Sequence, residues 1–286
     1  MLIKKLETNE EYKQIINMKA SSSAQNGFLK EILEQGKFTF DNILIMVDDR
    51  CVVGRALLHH NNLNLLTFES DVPEAEATNF VQQCLTHLHG DVEVHLYSDK
   101  INHDSTRDAL LSAGFMIMQK KYSYVSTPTI QTSFLQIKTA NTANREDFLQ
   151  AFIAVSKDNL DTSIRLQNER YGINRGSEML LEAIEVHKKD PSAWMLAYHD
   201  EQLVGFVIVT ITGTQSAGIS YIGVLPEHRG HGYAKELLHL ASTYCARHHI
   251  VVLVADTDEE NIPMQRALND TLYTYSCSEL VFFKQV

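Results

Sequence analysis

Val224-Leu225-Pro226-Glu227-His228-Arg229-Gly230-His231-Gly232-Tyr233-Ala234 is the stretch that decides how this chain is read. It lies between an apolar run (Ile219, Tyr221, Ile222, Val224) and a helical pattern (Leu237, Leu238, Leu240, Ala241, Tyr244). The order is therefore strand, glycine-bearing turn, helix start. Such a turn aims several backbone N–H groups at one point, and the helix dipole adds partial positive charge there. Gly230 and Gly232 carry no Cβ, so the backbone can approach an anion closely. A phosphate or pyrophosphate suits this arrangement; a tight connection without a ligand is the alternative.

Working outward, the downstream half restarts a pattern already met upstream. From Lys4 to Val125 the chain reads as a βαβ-type mixture. Thr8 caps a helix through about Ala20, strands follow at Ile43–Val47, Val52–Leu58 and Leu63–Phe68, and a helix spans Ala75–Leu88. Val92–Leu96 is a strand, Arg107–Ala113 a helix stopped by Gly114, and Phe115–Gln119 with Lys121–Val125 a closing pair of strands. Ser126-Thr127-Pro128-Thr129 is short and polar, and a boundary is expected there, giving domains 1–127 and 131–286. After it come a strand at Phe134–Lys138, helices at Asn144–Ser156 and Ser177–Lys188, and strands at Trp194–Tyr198, Val204–Ile211 and Ile219–Val224. The glycine turn and its helix follow, then a strand at Ile250–Ala255, a helix at Asn261–Asp270 and a final pair of strands in Tyr273–Phe283. Pro73 falls where Pro226 falls, and Ala109–Phe115 where Ala267–Tyr273 falls, which indicates one unit written twice.

Bulk properties narrow the classes. The 286 residues are enough for one or two domains. The 25 Lys and Arg against 36 Asp and Glu leave a formal charge of −11, which argues against a general nucleic-acid or acidic-membrane binder. Cys51, Cys84, Cys245 and Cys277 form no CxxC pair and read as free thiols in a reducing compartment. The opening Met1–Glu7 is too polar for a secretory leader, and no apolar window is long enough to span a bilayer, so a cytoplasmic protein is expected. His59-His60 and His248-His249 invite a metal reading. Adjacent strand residues point to opposite faces, and no cysteine or carboxylate spacing supports zinc, so no metal site is expected.

The run V-x-P-x-x-R-G-x-G-Y-A resembles motif A of the GNAT superfamily of acetyl-CoA-dependent N-acetyltransferases. A second patch, Ala255-Asp256-Thr257-Asp258-Glu259-Glu260-Asn261-Ile262-Pro263-Met264 followed by Ala267, is similar to the A-D-T-D-x-x-N-x-P-M-x-x-A pattern of a GNAT subgroup, one helix and one strand downstream. The resemblance covers residues 131–286 through motifs and 1–125 through element order. It implies an α/β (α+β) fold of two tandem GNAT-like domains, each a mixed, mostly antiparallel twisted sheet flanked by helices.

In that family the fourth and fifth strands splay and the pantetheine arm of acyl-CoA enters the gap. Carried onto this chain, Ile222, Gly223 and Val224 would line the arm, with Val224 N–H the donor to the thioester carbonyl oxygen. Arg229, Gly230, His231, Gly232, Tyr233 and Ala234 would hold the pyrophosphate, and Asn261, which also suits a helix cap, would reach the arm. Acetyl-CoA is the implied cosubstrate. The implied activity is N-acetyl transfer to a primary amine, with a small molecule the expected acceptor, by direct attack in a ternary complex. A monomer or homodimer is expected. Asp256 and Asp258 would be a base or an ammonium anchor, or mere turn chemistry. Tyr221 is read as acid or base, or as a core tyrosine. Family members often carry a tyrosine where Leu268 stands, and a glycine where Leu272 stands. A non-catalytic acyl-CoA-binding or sensing module is the competing function, and a scaffold without cofactor a third. The first half lacks the glycine turn and has Asp71, Glu74 and Glu76 there, which implies a degenerate domain that supports the second.

Overall fold

Thr8 starts the first helix through a capping box. The Glu11 amide donates to Thr8 Oγ1 at 3.2 Å, and the Thr8 amide to Glu11 Oε2 at 3.1 Å. The computed structural model describes residues 1–286 and every side chain except that of Ala24. The chain forms two compact units, Met1–Lys120 with Ser278–Val286, and Lys121–Cys277.

In the first unit the order is β1 (Leu2–Lys5), α1 (Asn9–Ile15), α2 (Ser23–Glu34), β2 (Ile43–Asp48), β3 (Cys51–His59), β4 (Asn62–Phe68), α3 (Glu74–Leu85), β5 (Asp91–Tyr97), α4 (His103–Ser112), and then β6 (Met116–Ser126), which continues into the second unit. The second unit adds β7 (Gln136–Thr139), α5 (Arg145–Ser156), α6 (Thr162–Tyr171), α7 (Ile173–Glu185), β8 (Trp194–His199), β9 (Gln202–Ile211), β10 (Ser216–Val224), α8 (Tyr233–Arg247), β11 (Val252–Asp258), α9 (Ile262–Asn269) and β12 (Thr274–Gln285). The same sequence of elements is thus used twice, with one helix more in the second copy.

The first unit's sheet runs β1-β2-β3-β4-β5 and then the end of β12, whose Glu279–Gln285 pair antiparallel with Tyr97–Asp91. The second unit's runs β6-β11-β10-β9-β8-β7, with Lys121–Ser126 of β6 antiparallel to Asp258–Leu253 of β11. Both sheets are mostly antiparallel, with one parallel pair each, β4–β5 and β10–β11.

Two sequence expectations change here. Phe115–Val125 and Tyr273–Phe283 are not pairs of strands; each is one long strand, because neither stretch holds a glycine or proline to turn on. The expected division at 127/131 kept the last strand in the second half. The compact units divide at Lys120/Lys121, and the final strand completes the first unit.

The second unit's core is built from α5, α8 and the inner strands, around Phe152, Phe206, Leu237 and Leu253, all fully buried. Phe152 stacks on Phe206 with centroids 4.9 Å apart. Trp194 is also core: it is 2% exposed and meets Phe148 edge-on at 5.5 Å. Burying such side chains stabilises by roughly 25 cal/mol per Å² of apolar surface.

Candidate active site

β10 leaves its neighbour part-way along. Its parallel register with β11 covers Ser216↔Val252, Ala217↔Leu253 and Gly218↔Val254 and stops there, while its antiparallel register with β9 continues to Val224↔Gly205. A bulge between Ile219 and Tyr221 marks the departure. From Ile219 onward, β10 therefore has one open edge inside the sheet.

The hydrogen-bond phase decides what that edge presents. The Leu225 amide donates to the Val204 carbonyl at 3.0 Å, so the next residue pairs alternate from there. Gly223 faces Phe206 as a bonded pair, whereas Ile222 and Val224 turn their N–H and C=O groups away from β9, into the gap. Gly223 itself is buried against α5: a Cβ there would lie 2.4 Å from Val155 Cγ1. Its part in the site is close packing, and the gap is lined by its two neighbours.

The strand then enters the glycine turn. Gly230 and Gly232 have φ of +83° and +84°, the left-handed region that side chains other than glycine disfavour, and a Cβ at either would meet nothing within 4 Å. Helix α8 begins at Tyr233 with no side-chain cap, and its first recorded turn bond is Lys235 N–H to Gly232 O at 3.0 Å. Among the described residues, the amides of Gly230 through Ala234 have no acceptor within the chain. The turn thus offers successive backbone donors and the positive end of a four-turn helix at an open surface.

Arg229 does not extend toward that surface. Its guanidinium donates to the carbonyls of Val224 (3.3 Å), Val155 (3.3 Å) and Lys157 (3.2 Å), holding the end of α5 against the end of β10. The side chain is committed to the fold, and only the main chain of Arg229 belongs to the turn. His231 Nδ1 lies 3.3 Å from the His228 carbonyl, and the Tyr233 hydroxyl 3.0 Å from His199 Nδ1.

On the far side of the gap, Val252, Val254 and Asp256 are exposed while Leu253, Ala255, Thr257 and Asp258 are buried. Asp256 accepts a hydrogen bond from the Ser123 hydroxyl of β6, which fixes the carboxylate and leaves it open to solvent. Asp258 is different. It is 2% exposed and accepts from the amides of Thr162 (2.9 Å) and Glu260 (2.8 Å), so it ties the start of α6 to the β11–α9 turn. Asn261 caps α9: its Oδ1 accepts from the Met264 amide at 3.2 Å, which leaves the side-chain NH₂ for another partner. Leu268, in the place of the family tyrosine, is a core residue at 1% exposure.

Tyr221 lies among Phe152 and Phe206, with ring centroids at 4.7 and 5.0 Å, and its hydroxyl accepts from Asn159 at 3.4 Å. Burial pushes its phenol well above the ordinary tyrosine range, so it stays protonated and has no capacity as a base at neutral pH. The structure brings Ile222, Val224, Gly230, Gly232, Tyr233 and Ala234 along one path, from strand edge to helix start. It puts the Cα face of Gly223 and the side chains of Arg229 and Tyr221 on the α5 side instead. Ser123 was missed, because nothing in the sequence says that β6 runs beside β11.

Residues 160–269 match the model of the acetyltransferase (GNAT) family. That match lies within the second unit. The fold of the whole chain is similar to that of a GCN5-related N-acetyltransferase from Sphaerobacter thermophilus, at 15% identity over 99% of this chain and 95% of that one, with a TM-score of 0.68. It is similar too to a GNAT-family acetyltransferase from Colwellia psychrerythraea, at 15% identity over 100% of both chains, with a TM-score of 0.54. A tandem GNAT protein from the clavulanic acid biosynthesis pathway, determined without AcCoA, shares 14% identity over 99% of this chain and 97% of that one, with a TM-score of 0.54. At these identities the likeness concerns the fold. No curated protein matches the sequence. Among the described residues, no helix is long and apolar enough to cross a membrane.

Proposed function

We propose that the second unit transfers an acetyl group from acetyl-CoA to a primary amine of a small molecule, by direct attack in a ternary complex. One observation carries this reading: β10 parts from β11 after Gly218, and its freed edge runs straight into an uncapped glycine turn. The freed groups of Ile222 and Val224 match the amides of a pantetheine arm, and the turn amides match a diphosphate. The fit rests on donors and acceptors of the chain that have no other protein partner, apart from the Val224 carbonyl, which Arg229 uses.

Acetyl-CoA supplies an already activated acyl group: the C–N bond forms, the C–S bond breaks, and coenzyme A leaves as a thiolate that takes a proton from water, so the chain has three tasks. Val224 N–H points into the gap and donates to the carbonyl oxygen as negative charge develops on it. The two diverging strands hold the reactants in line, which replaces a collision by a positioned encounter. An alkylamine is mostly charged at neutral pH, and the solvent-open Asp256 carboxylate, oriented by Ser123, attracts the ammonium and takes its proton, directly or through water. Asn261, with its oxygen spent on the cap, offers its NH₂ to the arm.

The test is thiol release from acetyl-CoA across a panel of small amines, beside calorimetric titration with acetyl-CoA alone. Micromolar binding with turnover on at least one amine is expected; absence of binding would overturn the reading. Leu268 favours a second one. With an apolar side chain where the family often has an acidic hydroxyl, the unit would bind acyl-CoA without turning it over. Tight binding with no turnover on any amine would select that alternative.

A further inference from the structure

The first unit repeats the strand-end geometry of the second, although its register shift, at Leu65 and Leu66, lies nearer the strand end than the second unit's shift at Ser220. The Glu69 amide donates to the Val53 carbonyl at 2.8 Å, as Leu225 does to Val204, and Phe68 faces Gly54, as Val224 faces Gly205. The register of β4 with β5 is recorded only at Asn62↔Glu93, so this strand pair also opens. By the same phase Phe68 corresponds to Val224 and points its carbonyl into the opening, and the Leu66 carbonyl, beside the register shift, is reached by Lys100 from the turn after β5.

What fills the two openings differs. In the first unit Lys100 Nζ donates to the Leu66 carbonyl, and Asn102 Nδ2 donates to the Phe68 carbonyl at 2.9 Å. Both residues lie in the turn after β5, and Asn102 is the N-cap residue of α4, as Asn261 is of α9. Asn261 spends its side chain on the helix. Asn102, at φ +61°, makes no side-chain cap bond and reaches across to β4 instead.

We infer that the first unit's strand opening is permanently filled by its own Lys100 and Asn102, so that the chain takes one acyl-CoA, in the second unit. The second clause rests on the function proposed above; the first stands on the two contacts alone. The donors that a thioester arm would bring to Leu66 and Phe68 are already supplied, and displacing them would leave a largely buried ammonium without its acceptor. The acidic turn at Glu74 and Glu76 adds repulsion toward a diphosphate.

Two measurements on the full chain test this. Calorimetry with acetyl-CoA should give one site per chain, and the G230E/G232E variant should give none. In K100A/N102A the acetyl-CoA Kd should stay within about threefold, while amide exchange in residues 62–69 speeds at least tenfold, because both carbonyls lose their donors. Should the double variant fail to fold, Asn102→Ala alone gives the exchange reading. Two sites in the native chain, a surviving site in G230E/G232E, or unchanged exchange in the Lys100 and Asn102 variants would overturn the inference. If the native chain binds no acetyl-CoA, the proposed function fails, and the exchange arm still decides whether the opening is filled.

Discussion

Arg229 donates its guanidinium to the Lys157 carbonyl at 3.2 Å, so the residue that introduces the glycine turn also fastens the end of helix α5. Charge on that side chain is therefore spent on main-chain carbonyls. In R229A, residues 155–161 should exchange their amides faster, and the acetyl-CoA Kd should change by less than about tenfold, each lost hydrogen bond being worth about 1 kcal/mol. The salt dependence of Kd should keep its slope. A flattened slope in R229A would show instead that the guanidinium meets the diphosphate.

Gly223 and Val155 form a size-matched pair. A Cβ at 223 would stand 2.4 Å from Val155 Cγ1 and 2.9 Å from Cγ2, so G223A should lower stability by about 1–3 kcal/mol through overpacking. The added V155A should restore part of that loss. Urea unfolding of both single variants and the double variant measures the coupling.

Asp256 is held by the Ser123 hydroxyl and remains open to solvent. D256N should leave acetyl-CoA affinity within twofold and reduce kcat/KM for the amine by roughly 100-fold, in keeping with loss of a general base. S123A should act in the same direction and more weakly. Full activity of D256N would remove Asp256 from the mechanism.

Lys100 gives the first unit a pH signature. Burial, with the Arg55 cation nearby, lowers its ammonium to about 8. Since its pKa is lower in the fold than in the unfolded chain, the unfolded chain binds more protons between about pH 8 and 10.5, and stability rises with pH across that window. The gain is at most about 3 kcal/mol. Below pH 8 the cost of the buried charge is fully present. K100M should abolish the rise, which denaturant unfolding at pH 7.5 and 9.5 would detect.

Cysteine labelling should be uneven. Cys51 is exposed, whereas Cys84, Cys245 and Cys277 are buried, and burial pushes the Cys245 thiol up to about 12. One thiol per native chain should react rapidly with a disulfide reagent, and C51S should remove that phase.

The sequence was most legible where chemistry is local. The strand, glycine turn and helix from Ile219 to Arg247 follow from composition and spacing, because positive φ and helix starts leave marks on neighbouring residues. Helices α2 and α6 were not anticipated. α6 buries none of its residues and so has no apolar stripe to read, and α2 carries Gly27 in its middle. The site's non-local half was equally hidden. That Ser123 would hold Asp256, or Arg229 reach Val155, depends on partners separated by 133 and 74 residues. The sequence named Asp258 beside Asp256 as an equal candidate, and only burial separates them: one orients a turn, the other faces water.

The long strands β6 and β12 carry one more implication. Each compact unit owns a strand encoded within the other half of the gene, so scission anywhere in the 127–135 connection would produce two fragments with unfinished sheets. Limited proteolysis in that connection should therefore lower the stability of both sheets together.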